Sequence, residues 1–123
     1  MGTRQQRECA IIQPMSSCLF CKILEGQIPA HFVYQDDRAA AFEDLNPQAP
    51  LHVLVVPRKH FASLDEATPE DEPVIGHLQR IAAQIVAERK ITHGYRTVFN
   101  NGPQAGQSVF HLHLHVLGGR VMG

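Results

Sequence analysis

Near the end of the chain, GQSVFHLHLHVLGG (residues 106–119) places His111, His113 and His115 at every second position. Successive side chains of a β-strand point to opposite faces, so residues i, i+2 and i+4 share one face. The three imidazoles therefore line one side of a strand predicted over 108–118, and Leu112, Leu114 and Val116 line the other. The apolar set can be buried against a core. A chain with this stretch must build a sheet with one packed face, and the three imidazoles gathered on the opposite face need a chemical reason.

The rest of the chain supplies the partners for such a strand. LHVLVVP (51–57) is an almost unbroken apolar, β-branched run that fits a central strand covered on both faces. HFVYQ (31–35) and AAAFEDL (39–45) read as strands joined in a hairpin at Asp36-Asp37, and YRTVFNN (95–101) as another strand. From Glu70 to Lys90 the period becomes helical. Val74, Leu78, Ile81 and Ile85 form one stripe, widened by Ile75, Ala82 and Val86. Acids crowd its start and Arg89-Lys90 its end, in keeping with the helix dipole. A short helix is predicted in CLFCKILEG (18–26), with Ser16-Ser17 as N-cap candidates and Gly26 as its stop. These elements define an α+β domain over residues 18–123: a largely antiparallel five-stranded sheet with one long and one short helix. Residues 1–17 show no periodicity and read as a flexible arm, and Met15 is an alternative start that would make residues 1–14 an appendage.

Length and charge narrow the function. A chain of 123 residues, 44% hydrophobic, can bury one real core. Its net charge of -1, from 11 basic and 12 acidic residues, speaks against broad binding to nucleic acid or anionic membranes but leaves room for a nucleotide in one local pocket. No apolar run approaches the roughly 20 residues of a membrane span. MGTRQQRECAIIQPMSS lacks the apolar centre of a secretory signal, and Gln6 stands where a myristoylation signal wants Ser or Thr. Three cysteines do not make a disulfide framework, so a reducing, cytoplasmic setting is expected.

Three readings compete for the triple histidine: a merely solvated strand face, a metal site, and nucleophilic catalysis by one imidazole tuned by its neighbours. Side chains two apart on a strand face start about 6.5–7 Å from one another, so three would converge on one ion only with strain. The preceding loop, NNGPQAGQS, is rich in Gly and amide residues, and such loops let backbone N–H groups approach an oxyanion closely. Together they suggest phosphate held where a histidine can attack phosphorus. Cys18-Leu19-Phe20-Cys21 has the two-residue spacing that offers two thiolates to a metal; buried free thiols or a redox pair are the alternatives. The chain has no Trp, which a thioredoxin-type motif would carry beside its cysteines. Cys9 reads as incidental, and His31, His52, His77 and His93, without a partner pattern, as ordinary strand, helix or loop residues.

QSVFHLHLHVLGGR resembles the His-x-His-x-His-x-x signature, x being apolar, of the histidine triad (HIT) superfamily. The likeness runs through CLFCKI, IPA, FEDLNPQAPLHVLVVPRKH, GYRTVFNNG and HVLGGRVM, and NPQAP and LGGR-x-M look like the Hint branch, the histidine triad nucleotide-binding proteins, more than the Fhit branch. This resemblance implies a HIT-like fold and a homodimeric purine nucleoside phosphoramidase that cleaves the P–N bond of AMP- or GMP-amine conjugates. It implies His113 as the nucleophile, forming a nucleotidyl-histidine that water hydrolyses, with His111 and His115 orienting it and adjusting its protonation. It places Asn100, Gly106 and Ser108 on the phosphate, Ser108 also assisting departure of the amine. Asp44 would hold the ribose hydroxyls, and Phe20, Ile23 and Leu45 would clamp the purine. Some bacterial members bind a structural zinc, and the matching positions are Cys18, Cys21, His60 and His111. The Trp-bearing tail of several Hint proteins has no counterpart after GGRVM, so preference for the leaving amine is not carried over. Two other functions compete: Fhit-like hydrolysis of dinucleoside polyphosphates, and a non-enzymatic, zinc-stabilised nucleotide-binding protein.

Overall fold

A computed structural model describes residues 17–123; the N-terminal arm to Ser16, with Cys9 and the alternative start at Met15, lies outside the described residues. The elements follow in the order α1 (Leu19–Leu24), β1 (Phe32–Gln35), β2 (Ala39–Glu43), β3 (Leu51–Pro57), α2 (Glu72–Glu88), β4 (Tyr95–Phe99) and β5 (Leu114–Gly118). The strands form one sheet in the order β1-β2-β3-β5-β4, antiparallel throughout. The α+β architecture read from the sequence is the one observed. No helix among the described residues is long and apolar enough to cross a membrane.

Each face of the sheet has its own core. On one, Leu51, Val53 and Val55 of β3 and Leu112, Leu114 and Val116 meet Leu78, Ile81, Ala82, Ile85 and Val86 of α2. Burying a Leu or Ile side chain of this kind contributes about 1.5–3 kcal/mol, so the α2 stripe is what clamps the central strands. On the other face, α1 lays Cys18, Phe20, Cys21 and Ile23 over Phe42, Leu54 and Val56. β3 is buried along its whole length, as its uninterrupted apolar run requires.

Several boundaries differ from those read in the sequence. α1 is capped by Cys18, whose sulfur accepts from the Cys21 N–H at 3.4 Å, in place of the expected serine pair, of which Ser16 lies outside the described residues. Gly26, with φ +83°, does follow its end. α2 begins at Glu72 because Thr68 and Asp71 close a capping box around a 3₁₀ turn at Pro69–Asp71. β4 ends at Phe99, two residues early. The last strand is the main difference: it starts at Leu114, leaving His111 and His113 ahead of it. The register pairs Val55 with Leu114, which puts Pro57, lacking an N–H, opposite residue 112. The ladder stops there, and the chain is held instead by Leu112 N–H donating to the Phe61 carbonyl at 2.8 Å. Side-chain alternation nonetheless persists through 111–116.

Candidate active site

Because α1 covers the histidine face, the triad is not a solvated surface. His111 is fully buried and His113 is 8% exposed. The three rings, in register, face three different neighbours.

His111 points at the cysteines. Its Nδ1 lies 3.5 Å from Cys18 Sγ, 3.6 Å from Cys21 Sγ and 3.2 Å from His60 Nδ1, and His60 Nδ1 is 3.3 Å from Cys21 Sγ. Zinc bonds of about 2.05 Å to nitrogen and 2.3 Å to sulfur make tetrahedral edges of about 3.3 Å (N···N) and 3.6 Å (N···S), which these separations match. His111 Nε2 donates to the Pro57 carbonyl at 2.8 Å, so a neutral ring presents the Nδ1 lone pair to the cluster. The Cys21 thiol donates to the Cys18 sulfur, which draws Cys18 well below the ordinary thiol range and pushes Cys21 up. One thiolate forms readily; a second beside it needs a cation. The four residues singled out in the sequence are therefore together and chemically suited to a dication.

His113 stands in the middle. Its Nδ1–H donates to the His111 carbonyl at 2.8 Å, so the lone pair of the neutral ring is on Nε2. Burial lowers its pKa, and the edge of Phe20 packs on it at a centroid distance of 5.0 Å. His113 therefore stays neutral at pH 7, the form in which an imidazole is nucleophilic.

His115 faces His52. The ring of His52 accepts the Gln48 N–H at Nδ1 (3.0 Å), so its proton is on Nε2, within 3.0 Å of His115 Nδ1 and 3.3 Å of Asp44 Oδ2. Asp44, His52 and His115 converge closely enough to suggest a second metal group. The proton on His52 Nε2 argues against it: that nitrogen is a donor shared by two acceptors. Burial, then the repulsion that a protonated ring here would meet as the His113 and His52 rings take up protons, push His115 down to about 4. His52 is thus no ordinary strand residue. Its signal was available, as the one polar residue in LHVLVVP.

These groups open into a cleft of about 320 Å³ lined by Phe20, Ile23, Asp44, Leu45, Asn100, Gly106, Ser108, His113 and His115, so every site residue outside the metal set lies on it. Ile28, Phe42, Leu54 and Val109 also line it, residues to which the sequence assigned no role in the site. Leu45 stands 93% exposed at the rim, whereas Phe20 and Ile23 are buried. Asp44 keeps its turn role as well, Oδ1 accepting the Asn46 N–H at 2.8 Å. The Gly106 N–H donates to the Pro103 carbonyl at 3.0 Å and is not free for an anion. The Asn100 carboxamide and Ser108 hydroxyl are hydrogen-bonded to nothing else among the described residues. Away from the cleft, His77 also has a partner, Asp36 Oδ2 at 2.6 Å, tying α2 to the β1–β2 hairpin; His31 and His93 are exposed.

Known proteins resemble the chain in sequence and fold. Residues 17–122 match the family model described as "Scavenger mRNA decapping enzyme C-term binding". An uncharacterised HIT-like protein of Synechocystis sp. is 52% identical over 102 residues, 83% of this chain and 90% of that protein. A HIT family hydrolase from Legionella pneumophila superposes with a TM-score of 0.84 at 42% identity, over 87% of this chain and 96% of its own. A zinc-bound histidine triad family protein from Mycobacterium smegmatis superposes with a TM-score of 0.76 at 33% identity, over 85% and 76%. The chain belongs to the histidine triad superfamily.

Proposed function

We propose that the protein is a hydrolase of the Hint type, a purine nucleoside phosphoramidase that releases AMP or GMP from conjugates with amines. The observation that carries this is His113, whose Nδ1–H is committed to the His111 carbonyl and whose Nε2 lone pair is left at a cleft with two donors, Asn100 and Ser108, that have no partner among the described residues. Nε2 attacks the α-phosphorus while the P–N bond to the amine breaks, and the amine leaves with a proton supplied from the Ser108 side. Water then attacks phosphorus, the P–Nε2 bond breaks, and the nucleotide departs. Asn100 and Ser108 hold the phosphoryl oxygens, Asp44 the ribose hydroxyls, and Phe20 and Ile23 the purine. The His52–His115 pair keeps the neighbouring ring neutral, so that no like charge opposes the imidazolium formed at His113. Among the described residues no Lys or Arg lines the cleft, which suits a singly charged α-phosphate better than a polyphosphate chain and favours this reading over dinucleoside polyphosphate hydrolysis.

The test is rapid denaturant-quench mass spectrometry during turnover of an adenosine phosphoramidate, where a nucleotidyl adduct should sit on the His113 peptide. Turnover with no adduct would refute the covalent route. A faster rate on a diadenosine polyphosphate would move the protein to the Fhit-like reading, and tight AMP binding without turnover on either substrate to the non-enzymatic one.

Cys18, Cys21, His60 and His111 would hold a structural zinc, whose chemistry there is to cross-link α1 to the segment before β5; the zinc-bound relative from Mycobacterium smegmatis supports this. The free thiols of Cys18 and Cys21 suit a reducing, cytoplasmic setting. β4 is an edge strand with Tyr95 exposed, beside a surface hollow of about 630 Å³ between Lys90–Arg96 and Gly119–Met122, which suits pairing with a second copy. Light scattering at micromolar concentration should give twice the chain mass of 13.7 kDa; a monomer would remove the dimer from the proposal.

A further inference from the structure

The loop from Gly102 to Ser108, which carries Ser108 to the cleft, is closed by backbone bonds: the Ala105 and Gln107 N–H groups donate to the Gly102 carbonyl at 3.1 Å and the Gly106 N–H to the Pro103 carbonyl at 3.0 Å. It contains one 3₁₀ turn, Pro103–Ala105, flanked by two glycines with φ +95° and +92°. Pro103, Gln104, Ala105, Gly106 and Ser108 are all exposed. Gln107 is the exception, 5% exposed, and its carboxamide is fully engaged. Oε1 accepts the Gly102 N–H at 2.8 Å, while Nε2 donates to the Ala62 carbonyl at 2.6 Å and the Val109 carbonyl at 3.1 Å. This one side chain reinforces the closed loop and, unlike its backbone bonds, fastens it to the segment after His60. A second tie runs beside it, Asn101 Oδ1 accepting the Leu64 N–H at 2.9 Å.

We infer that Gln107 is a positioning residue for the phosphate half of the site: its buried amide fixes where Ser108 stands relative to His113 and Asn100. The inference rests on the reading that Asn100 and Ser108 receive the phosphate. The amide does not face the ligand. Its three bonds are made to the protein, and an apolar side chain in its place would leave the Ala62 and Val109 carbonyls without their donor and Gly102 without its acceptor. The purine and ribose contacts come from α1 and from the turn after β2, which this amide does not touch. Loss of the pin should therefore be felt by the phosphate and not by the nucleoside.

That difference is the test. Affinities for AMP and for adenosine are measured by calorimetry on the wild type and on Gln107→Met, which keeps volume and loses the hydrogen bonds. The AMP-over-adenosine preference should fall about tenfold in the variant, a typical effect of mispositioning a preorganised group, with adenosine affinity within about twofold of wild type. Gln107→Asn, which keeps the carboxamide but is one methylene too short to reach all three partners, should lower the same preference in the same direction, and keeps the test open should Gln107→Met not fold. A melting temperature that drops while the preference stays at its wild-type value, in whichever variant folds, would make Gln107 a purely structural residue and overturn the inference. A wild type with no preference for AMP would instead overturn the phosphate assignment on which it rests.

Discussion

His113→Ala should lower phosphoramidate turnover by about three orders of magnitude or more while leaving AMP affinity within about threefold. The proposed nucleotide contacts are Asp44, Asn100, Ser108, Phe20 and Ile23, none of which the change removes. His111 cannot substitute, because its Nδ1 faces Cys18, Cys21 and His60 and its Nε2–H is bonded to Pro57. His115 cannot either, since its Nδ1 takes the proton of His52. With no other lone pair aimed at the phosphorus, nucleophilic catalysis is lost outright and not weakened. Asp44→Ala should give the opposite pattern, weaker binding with a smaller loss of maximal rate, because ribose contacts exist before and during the reaction alike. Retention of more than about a tenth of wild-type turnover by His113→Ala would exclude it as the nucleophile.

How far this site was readable in the sequence depended on the range of the interaction. The period-2 alternation of 111–116 predicted which residues enter the α2-side core, because burial of Leu112, Leu114 and Val116 is a property of local pattern. The stripe Leu78, Ile81 and Ile85 was equally legible. The extent of the last strand was not. Whether 108–113 joins a ladder depends on what the facing chain offers, and there β3 ends at Pro57, far away in sequence. His52 and His77 were missed for the same reason: their partners, His115 with Asp44 and Asp36, are separated from them along the chain and meet only through strand order and helix packing. Gly106 is the converse case, where the motif was read but the direction of one N–H was not, since that is set by the turn at Pro103. The assembly of Cys18, Cys21, His60 and His111 was legible only through resemblance, as no single spacing relates α1 to residue 60 and residue 111.

Removing metal should destabilise the domain more than any single change in the cleft. α1 has only six residues, too few to persist on its own. Its hold on the sheet is the small core around Phe42, Leu54 and Val56 together with whatever Cys18 and Cys21 bind. A zinc ion shared with His60 and His111 would add a cross-link that exists only in the folded chain, so its binding free energy would be folding free energy. A site half-saturated at about a hundredth of the free metal present contributes about 2.7 kcal/mol, which in a domain of this size moves Tm by on the order of 10 °C. Protein prepared without chelator should therefore contain one zinc per chain by metal analysis, and dialysis against a strong chelator should lower Tm by that amount, restored on adding zinc. Cys18→Ser should reproduce the drop, since a hydroxyl at the N-cap still accepts the Cys21 N–H but does not replace a thiolate toward zinc. The effect should reach His113 as well. The carbonyl that fixes its tautomer belongs to His111, so nucleotide-free protein stripped of metal should lose protection from hydrogen exchange around 111–113 before the α2-side core opens. Fully reduced protein that binds no zinc, or a Cys18→Ser variant with wild-type Tm, would leave the four residues a buried hydrogen-bonded cluster and not a metal site.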